Sequence, residues 1–291
     1  MEIGYYPGCT LKQSSGLYDI QTRSIMNALG VHLHELKDWN CCGATSAAKV
    51  DDFLAIAMPA RNLGIADQMG LTEMVIPCSA CYSKTLVARH RLLDDPDLTH
   101  TINKDLARKI TGKTKIVSIL EVLLSFYRSG DLAKHIVKKC KGLTPVCYYG
   151  CMMTRFPYPV PISDDVENPQ SMEIILKAIG IQSVDWNDKT SCCGASATIN
   201  DKETSLSLMA QIMKDALKSG ANCFVVSCPM CQLNLDAYQN EFCEMNDIQE
   251  RLPVYFITEL LGLSMGMSLK NLQVNRHFID GIGLLKELEL L

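Results

Sequence analysis

Short apolar runs alternate along the chain with longer stretches of helical period. The runs at 3–6, 31–36, 74–76 and 116–118 are too brief for helices and are bounded by turn-forming residues, so they read as strands. Between them lie helical stretches at 15–29, closed by Gly30, and at 44–69, closed by Gly70. Pro59 interrupts the second of these. An interior proline costs about 3 kcal/mol, which predicts a kink or a split into two helices there. Pro77-Cys78 opens another helix that runs to about residue 93. After an insertion near 94–101 comes a further helix, then the strand at 116–118 and a helix carrying Glu121-Val122-Leu123-Leu124.

The second half follows the same order. Strands are expected at 146–149, 182–186, 223–226 and 254–256. Met172, Ile175, Leu176 and Ile179 keep the 3.6-residue period of a helix face, as do Leu206, Met209, Met213 and Ala216. Gly180 and Gly220 end those helices, Cys228-Pro229 opens the next, and Glu259-Leu260-Leu261 matches the earlier Glu-x-Leu-Leu. Gly30 and Gly180, Gly70 and Gly220, Cys78 and Cys228, and Cys81 and Cys231 all stand 150 positions apart, which indicates an internal duplication. The fold class is therefore α/β. Two duplicated domains, 1–140 and 141–291, each carry a small, mostly parallel sheet flanked by helices, related by a pseudo-twofold axis. In such sheets functional groups gather at the carboxyl ends of the strands. The proline-rich stretch 156–161 reads as an extended loop, and the tail from Gln273, without a counterpart in the first half, as a packing segment.

A length of 291 residues, 47% hydrophobic and 21% charged, suits two globular domains. The net charge of −4, with no basic run, argues against nucleic acid as a partner. No signal peptide is visible at the N-terminus, and no apolar run reaches the ~18–20 residues that span a bilayer. A cytoplasmic location without membrane insertion is expected. In that compartment the 14 cysteines read as thiols available for metal or redox chemistry rather than as disulfides.

Five cysteines recur in one order. Cys9 follows Tyr5-Tyr6-Pro7-Gly8, Cys41-Cys42 precede Gly43, and Cys78 and Cys81 form a Cys-x-x-Cys. Later, Cys151 follows Tyr148-Tyr149-Gly150, Cys192-Cys193 precede Gly194, and Cys228 and Cys231 repeat the Cys-x-x-Cys. Asp38-Trp39-Asn40 and Asp185-Trp186-Asn187 lie ahead of the two Cys-Cys-Gly motifs. A lone Cys-x-x-Cys is shared by zinc ribbons and thioredoxin-like sites, but five cysteines given twice are more specific. A structural zinc takes four ligands, which leaves one thiolate over, and adjacent cysteines chelate a single ion poorly across a stiff peptide. A dithiol site would leave three unexplained. A polynuclear cluster meets both objections, and thiolates are its standard ligands. Helix N-termini at the Cys-x-x-Cys pairs favour anionic sulfur.

The pattern Cys…Cys-Cys-Gly…Cys-x-x-Cys, present twice, resembles the cysteine-rich CCG domain family, and over nearly the whole chain it is similar to the B subunits of the soluble heterodisulfide reductases of methanogenic archaea. The resemblance implies two non-cubane 4Fe-4S clusters, one on Cys9, Cys41, Cys42, Cys78 and Cys81, the other on Cys151, Cys192, Cys193, Cys228 and Cys231, with one sulfur bridging in each. The 40-residue gap between Cys151 and Cys192, against 31 between Cys9 and Cys41, leaves Cys147 as a rival to Cys151. The implied activity, in methanogenesis, is reduction of the coenzyme M–coenzyme B mixed disulfide to two thiols, with Cys42 and Cys193 at the reacting centres. The implied partners are a flavin-containing A subunit and a ferredoxin-like C subunit, with hydrogenase or formate dehydrogenase upstream. A CCG subunit of a lactate or glycolate oxidase, or of a thiol:fumarate reductase, shares the motif. A pure electron relay and a zinc-stabilised adaptor are the non-catalytic readings.

The disulfide carries a sulfonate at one end and a carboxylate and phosphate at the other, so its site needs cations. Arg155 is the first candidate because its guanidinium matches such oxyanions. Lys12, Lys49, Lys84 and Lys202 also lie near the cysteines in sequence. Cys140, Cys147, Cys223 and Cys243 fall outside the pattern and read as inert, Cys223 as core. None of the six histidines recurs in both halves, so none is expected to be a ligand.

Overall fold

Most of the apolar runs form strands buried on both faces, the usual fate of parallel strands covered by helices, whereas the edge strand at 32–35 stays partly exposed. A computed structural model describes residues 1–44, 46–106 and 109–291. In the first lobe β1 (Glu2–Tyr5), β2 (His32–Glu35), β3 (Glu73–Ile76) and β4 (Lys115–Ser118) make a parallel sheet in the order β2-β1-β3-β4. In the second, β5 (Pro145–Tyr148), β6 (Cys223–Val226) and β7 (Val254–Phe256) make a parallel sheet in the order β5-β6-β7. The α/β class and the duplication are as the sequence indicates. The repeated Glu-x-Leu-Leu also has a structural reason. Glu121 and Glu259 each reach back to the backbone N–H at the end of the preceding strand, on Ser118 and Phe256, and so cap a helix.

Two expectations need correction. No strand forms at 182–186; Val184 N–H donates to Pro145 O at 2.9 Å, and the rest of a ladder is absent. Pro145 has no N–H to return on that side of β5. Further along the same edge, the Cys147 carbonyl takes the Trp186 indole N–H at 3.0 Å; at the corresponding place in the first lobe Tyr5 O takes Leu36 N–H. The helical stretch 44–69 does break, but at Asp51 rather than at Pro59. Asp51 leaves helical geometry and its carboxylate accepts Phe53 N–H, so a short helix Ala47–Val50 precedes the helix Asp52–Gln68, which runs through Pro59 unbroken.

The two lobes share their interior. Side chains alternate along each strand, so Met74 and Ile76, Phe224 and Val226 enter one apolar cluster, and Val75, Cys223 and Val225 the other. Each cluster draws on both lobes. Burying a side chain such as Phe224 or Phe256 stabilises by about 1.5–3 kcal/mol. The helix Gly16–Ala28 lies on the helix Ile257–Ser264, where Gln21 donates to Glu259 at 2.9 Å and to Leu272 O at 2.7 Å. The C-terminal tail packs as expected, through a charged residue. His277 is buried, 2.6 Å from Glu259, while Asp236 accepts Phe278 N–H and Ile279 N–H at 2.9 Å each. Among the described residues no helix is long and apolar enough to cross a membrane.

Candidate metal centre

The first set of five cysteines is assembled from the ends of β1, β2 and β3, the second from the ends of β5 and β6 and the loop that follows residues 182–186. Cys9 lies in the one-turn helix Gly8–Lys12 after β1, and Cys151 opens its counterpart Cys151–Thr154 after β5. Cys78 and Cys228 end the turns after β3 and β6 as N-caps of the helices Ser79–Asp94 and Pro229–Ala237, whose first turns carry Cys81 and Cys231. Cys41-Cys42 and Cys192-Cys193 come from loops tied down by tyrosine. Strand register decides which tyrosine. Tyr5 pairs with Val75 and Cys147 with Val225, so Tyr6 and Tyr148 are equivalent and Tyr149 takes the place of Pro7. Tyr6 OH donates to Asn40 O at 2.8 Å and Tyr148 OH to Ser191 O at 2.7 Å, each the carbonyl just before the Cys-Cys pair. Trp39 and Trp186 pack edge-on to these rings at 5.5 and 6.0 Å.

Sulfur atoms meet within each lobe. Cys9 and Cys41 lie 3.9 Å apart, and Cys193 and Cys231 lie 3.8 Å apart. Cys42, Cys78 and Cys81 are buried in one cluster, and Cys151 and Cys192 line one cleft. Glycine makes room for this. A Cβ on Gly8 would stand 2.6 Å from the Cys81 sulfur, and one on Gly150 2.7 Å from that of Cys231. The thiols that flank the Cys-Cys pair follow one rule in both lobes. Cys9 and Cys81, Cys151 and Cys231 are pushed up, first by hydrogen bonds to the neighbouring Cys-Cys pair, and so keep their protons. Within the pairs, Cys42 is lowered to about 5 by Cys41 and Cys81, and Cys192 to about 6 by Cys151. Cys228 is lowered to about 6, chiefly by Cys231. These sets favour partial ionisation, which eases metal uptake with loss of the remaining protons. Among the described residues no three His, Cys, Asp or Glu converge on a position that holds one metal ion. An all-thiol donor set of five suits a polynuclear iron–sulfur group better.

The other four cysteines stand apart. Cys140 and Cys243 point at the carbonyls of Leu260 and Glu250, while Cys147 and Cys223 are buried within β5 and β6. Burial raises all four thiols. Cys147 faces the apolar cluster opposite the second set, and Cys151 lies within that set.

A cleft of about 70 Å³ lies beside the second set. The first lobe contributes Ala44, Ser79 and Ala80. The second contributes all five of its cysteines, with Met152, Met230 and Ala195. None of the first lobe's cysteines reaches it, and no charged side chain among the described residues lines it. The five cations singled out from sequence stand elsewhere. Arg155 pairs with Glu167 at 2.7 Å and donates to Thr190 at 3.0 Å. Lys12 pairs with Glu35 at 3.0 Å, and Lys202 with Glu241 at 2.7 Å. Lys49 is exposed and Lys84 half-buried, neither ion-paired to a described residue. Sequence reasoning missed Lys189, which is buried and held by Glu173 at 3.0 Å. Its carbonyl accepts Tyr149 N–H and Gly150 N–H at 2.9 and 3.1 Å, which fixes the approach to Cys151. The signal was the extra run 188–191 between Asn187 and Cys192, which the first lobe lacks.

Fold and site together define a duplicated, cysteine-rich protein with a thiol set in each lobe. The sequence model of the CCG cysteine-rich domain matches residues 3–84 and 146–236, and the chain belongs to that family. It is 32% identical over 96% of its length, and 97% of the relative's, to the 8-methylmenaquinol:fumarate reductase membrane anchor subunit of Wolinella succinogenes. It is 25% identical to the B subunit of the ferredoxin:CoB-CoM heterodisulfide reductase of Methanosarcina mazei, over 99% of this chain and 97% of that one. To a protein of Archaeoglobus profundus described as like the heterodisulfide reductase B subunit it is 26% identical over 91% of each. In fold it is similar to a hypothetical protein from Helicobacter pylori, with a TM-score of 0.72 and 12% identity, over 95% of this chain and 51% of that one. The named relatives are subunits of oxidoreductases, which supports a redox role within a complex.

Proposed function

We propose that the chain is the iron–sulfur subunit of a multi-subunit fumarate reductase-type oxidoreductase, and that the cleft beside the second set receives an apolar two-electron carrier of quinol type. The observation that carries this reading is the wall of the cleft, which is mostly carbon and sulfur, with Ser79, Ser196 and Tyr149 as its hydroxyl-bearing residues and no charged side chain among the described residues. A flat, uncharged ring is compatible with such a wall, whereas an anion would be stranded there unpaired. The relative at 32% identity, covered almost end to end, is named for a quinol and fumarate. Cys9, Cys41, Cys42, Cys78 and Cys81 would hold one cluster and Cys151, Cys192, Cys193, Cys228 and Cys231 the other. Both sets supply thiol donors alone, at strand ends and helix N-termini. When bound, each cluster would supply one-electron transfer, and the two non-cubane 4Fe-4S groups implied by the family resemblance suit five thiolates apiece. Residues of the chain do the rest. Met152, Met230 and Ala80 exclude water and orient the carrier's ring, and Tyr148 keeps the Cys192-Cys193 loop in place.

A second reading is reduction of the coenzyme M–coenzyme B disulfide, with A and C partner subunits. It is favoured by the relatives named for that disulfide and by the joint contribution of both lobes to one cleft. It requires cations at the cleft. Arg155 would have to leave Glu167 and Thr190 to serve.

The test is anaerobic reconstitution with iron and sulfide, followed by EPR with a water-soluble menaquinol analogue or with the heterodisulfide. The expected result is a change in the second cluster's signal with the quinol analogue alone. A response to the heterodisulfide alone reverses the order of the two readings. A chain that binds no iron removes both.

A further inference from the structure

Between the two thiol sets stands one aromatic side chain that the repeat does not duplicate. Tyr18 belongs to the first lobe, in the helix Gly16–Ala28, and its side chain is fully buried against the second lobe. Its hydroxyl donates to Ser227 O at 2.9 Å, the carbonyl immediately before Cys228. Its ring stacks on Phe256 at 4.0 Å with 8° between the planes, at the end of β7 and beside the end of β6. It belongs to the buried apolar cluster that holds Cys78 of the first set and Cys228 of the second. Ser79, next to Cys78, borders the same seam. Its hydroxyl is buried without a hydrogen-bond partner, and the residue lines the cleft together with Cys228. The 150-residue shift puts Asn168 at Tyr18's place in the second lobe. That residue lies in a loop and accepts from Lys189 at 2.8 Å.

We infer that Tyr18 is a positioning residue that couples the two thiol sets, by fixing the turn at Ser227-Cys228 against the first lobe's Cys78-Ser79. The inference rests on the reading that both sets hold clusters. A phenol donating to a peptide carbonyl has no base to pass its proton to, so its work here is geometric and not proton transfer. It pins a carbonyl dipole beside one set and places its own dipole between both. Losing it frees the dipole at Cys228 and leaves Cys78 with a smaller change, which separates the two potentials.

The test uses the full chain, reconstituted anaerobically with iron and sulfide, with Tyr18→Phe beside Tyr148→Phe. The second variant loses a similar hydrogen bond within a single lobe. In Tyr18→Phe, iron content is unchanged and the one-electron equilibrium between the loaded sets moves about threefold to tenfold, tenfold being about 59 mV for one electron, with both midpoints displaced. Tyr148→Phe displaces the second midpoint alone. In the unloaded chain, amide exchange over 226–230 quickens about tenfold in Tyr18→Phe and stays unchanged in Tyr148→Phe. Unmoved midpoints, or a displacement confined to the second set, overturn the inference. If the wild-type chain takes up no iron, the cluster reading fails by itself, and the exchange measurement then decides whether Tyr18 holds the turn.

Discussion

The first lobe and the second agree near sulfur and part company away from it. Both use a tyrosine hydroxyl on the carbonyl before the Cys-Cys pair, a tryptophan edge on that ring, and a glycine under the second cysteine of the Cys-x-x-Cys. In both, the same two flanking cysteines keep their protons and donate hydrogen bonds to the Cys-Cys pair. The differences lie one layer out. The first sheet has a fourth, edge strand where the second has an extended segment beside Pro145. The second lobe alone carries Lys189 in its Cys-Cys loop, lines the cleft with its cysteines, and receives the tail through His277. Geometry that touches the donor atoms is constrained in both copies, because thiolates must converge. What surrounds it was free to diverge, and that divergence is where the two sets can acquire different work.

The largest effect that would sharpen this comparison is loss of one set at a time. Cys193→Ser should lower turnover of the assembled complex at least about a hundredfold (each 1.4 kcal/mol of lost stabilisation is a factor of ten), with the first set's EPR spectrum retained. Cys42→Ser should remove the first spectrum and keep the second. Full turnover in either variant would mean that one set suffices. Next in size is His277→Ala. It leaves Glu259 and Asp236 buried without their cation, and urea titration should show a loss of about 3–5 kcal/mol. The same group predicts a pH dependence. Against the cost of burial, Glu259 and Asp236 raise His277 from 6.5 to about 10, so its contribution is complete below about 6.5 and is lost as pH rises towards 10. The wild-type chain without metal should therefore melt lower across that window, and His277→Ala should show a flatter profile there. An identical slope in both would remove His277 as its source.

Smaller again is Gly150→Ala. Its backbone, at φ 68° and ψ 172°, disfavours a side chain by about 1–3 kcal/mol, and the added carbon meets the Cys231 sulfur. Gly8→Ala should do the same to Cys81, so equal losses measured by thermal unfolding support the equivalence of the two lobes near sulfur. The smallest expected effect is at Pro145→Val. It restores an N–H facing 182–184 and should stabilise by no more than about 1 kcal/mol, read as new amide protection in that segment. Unchanged protection would show that the Trp186 bond to Cys147 O, not Pro145, keeps the edge open.

By itself the sequence determined the alternation of strand and helix, the duplication, and the order of ten cysteines, because these depend on local periodicity and spacing. It also carried the capping glutamates Glu121 and Glu259, though as a repeat without a stated cause. Tertiary structure alone decided that Tyr6 matches Tyr148, that Tyr18 reaches across the seam to Ser227, and that His277 finds Glu259 and Asp236. It also settled that the cleft is lined by one set and not by the charged residues nearest in sequence. Such contacts join positions tens to hundreds of residues apart. Only packing of the two lobes brings them together, and neither period nor spacing along the chain records that packing.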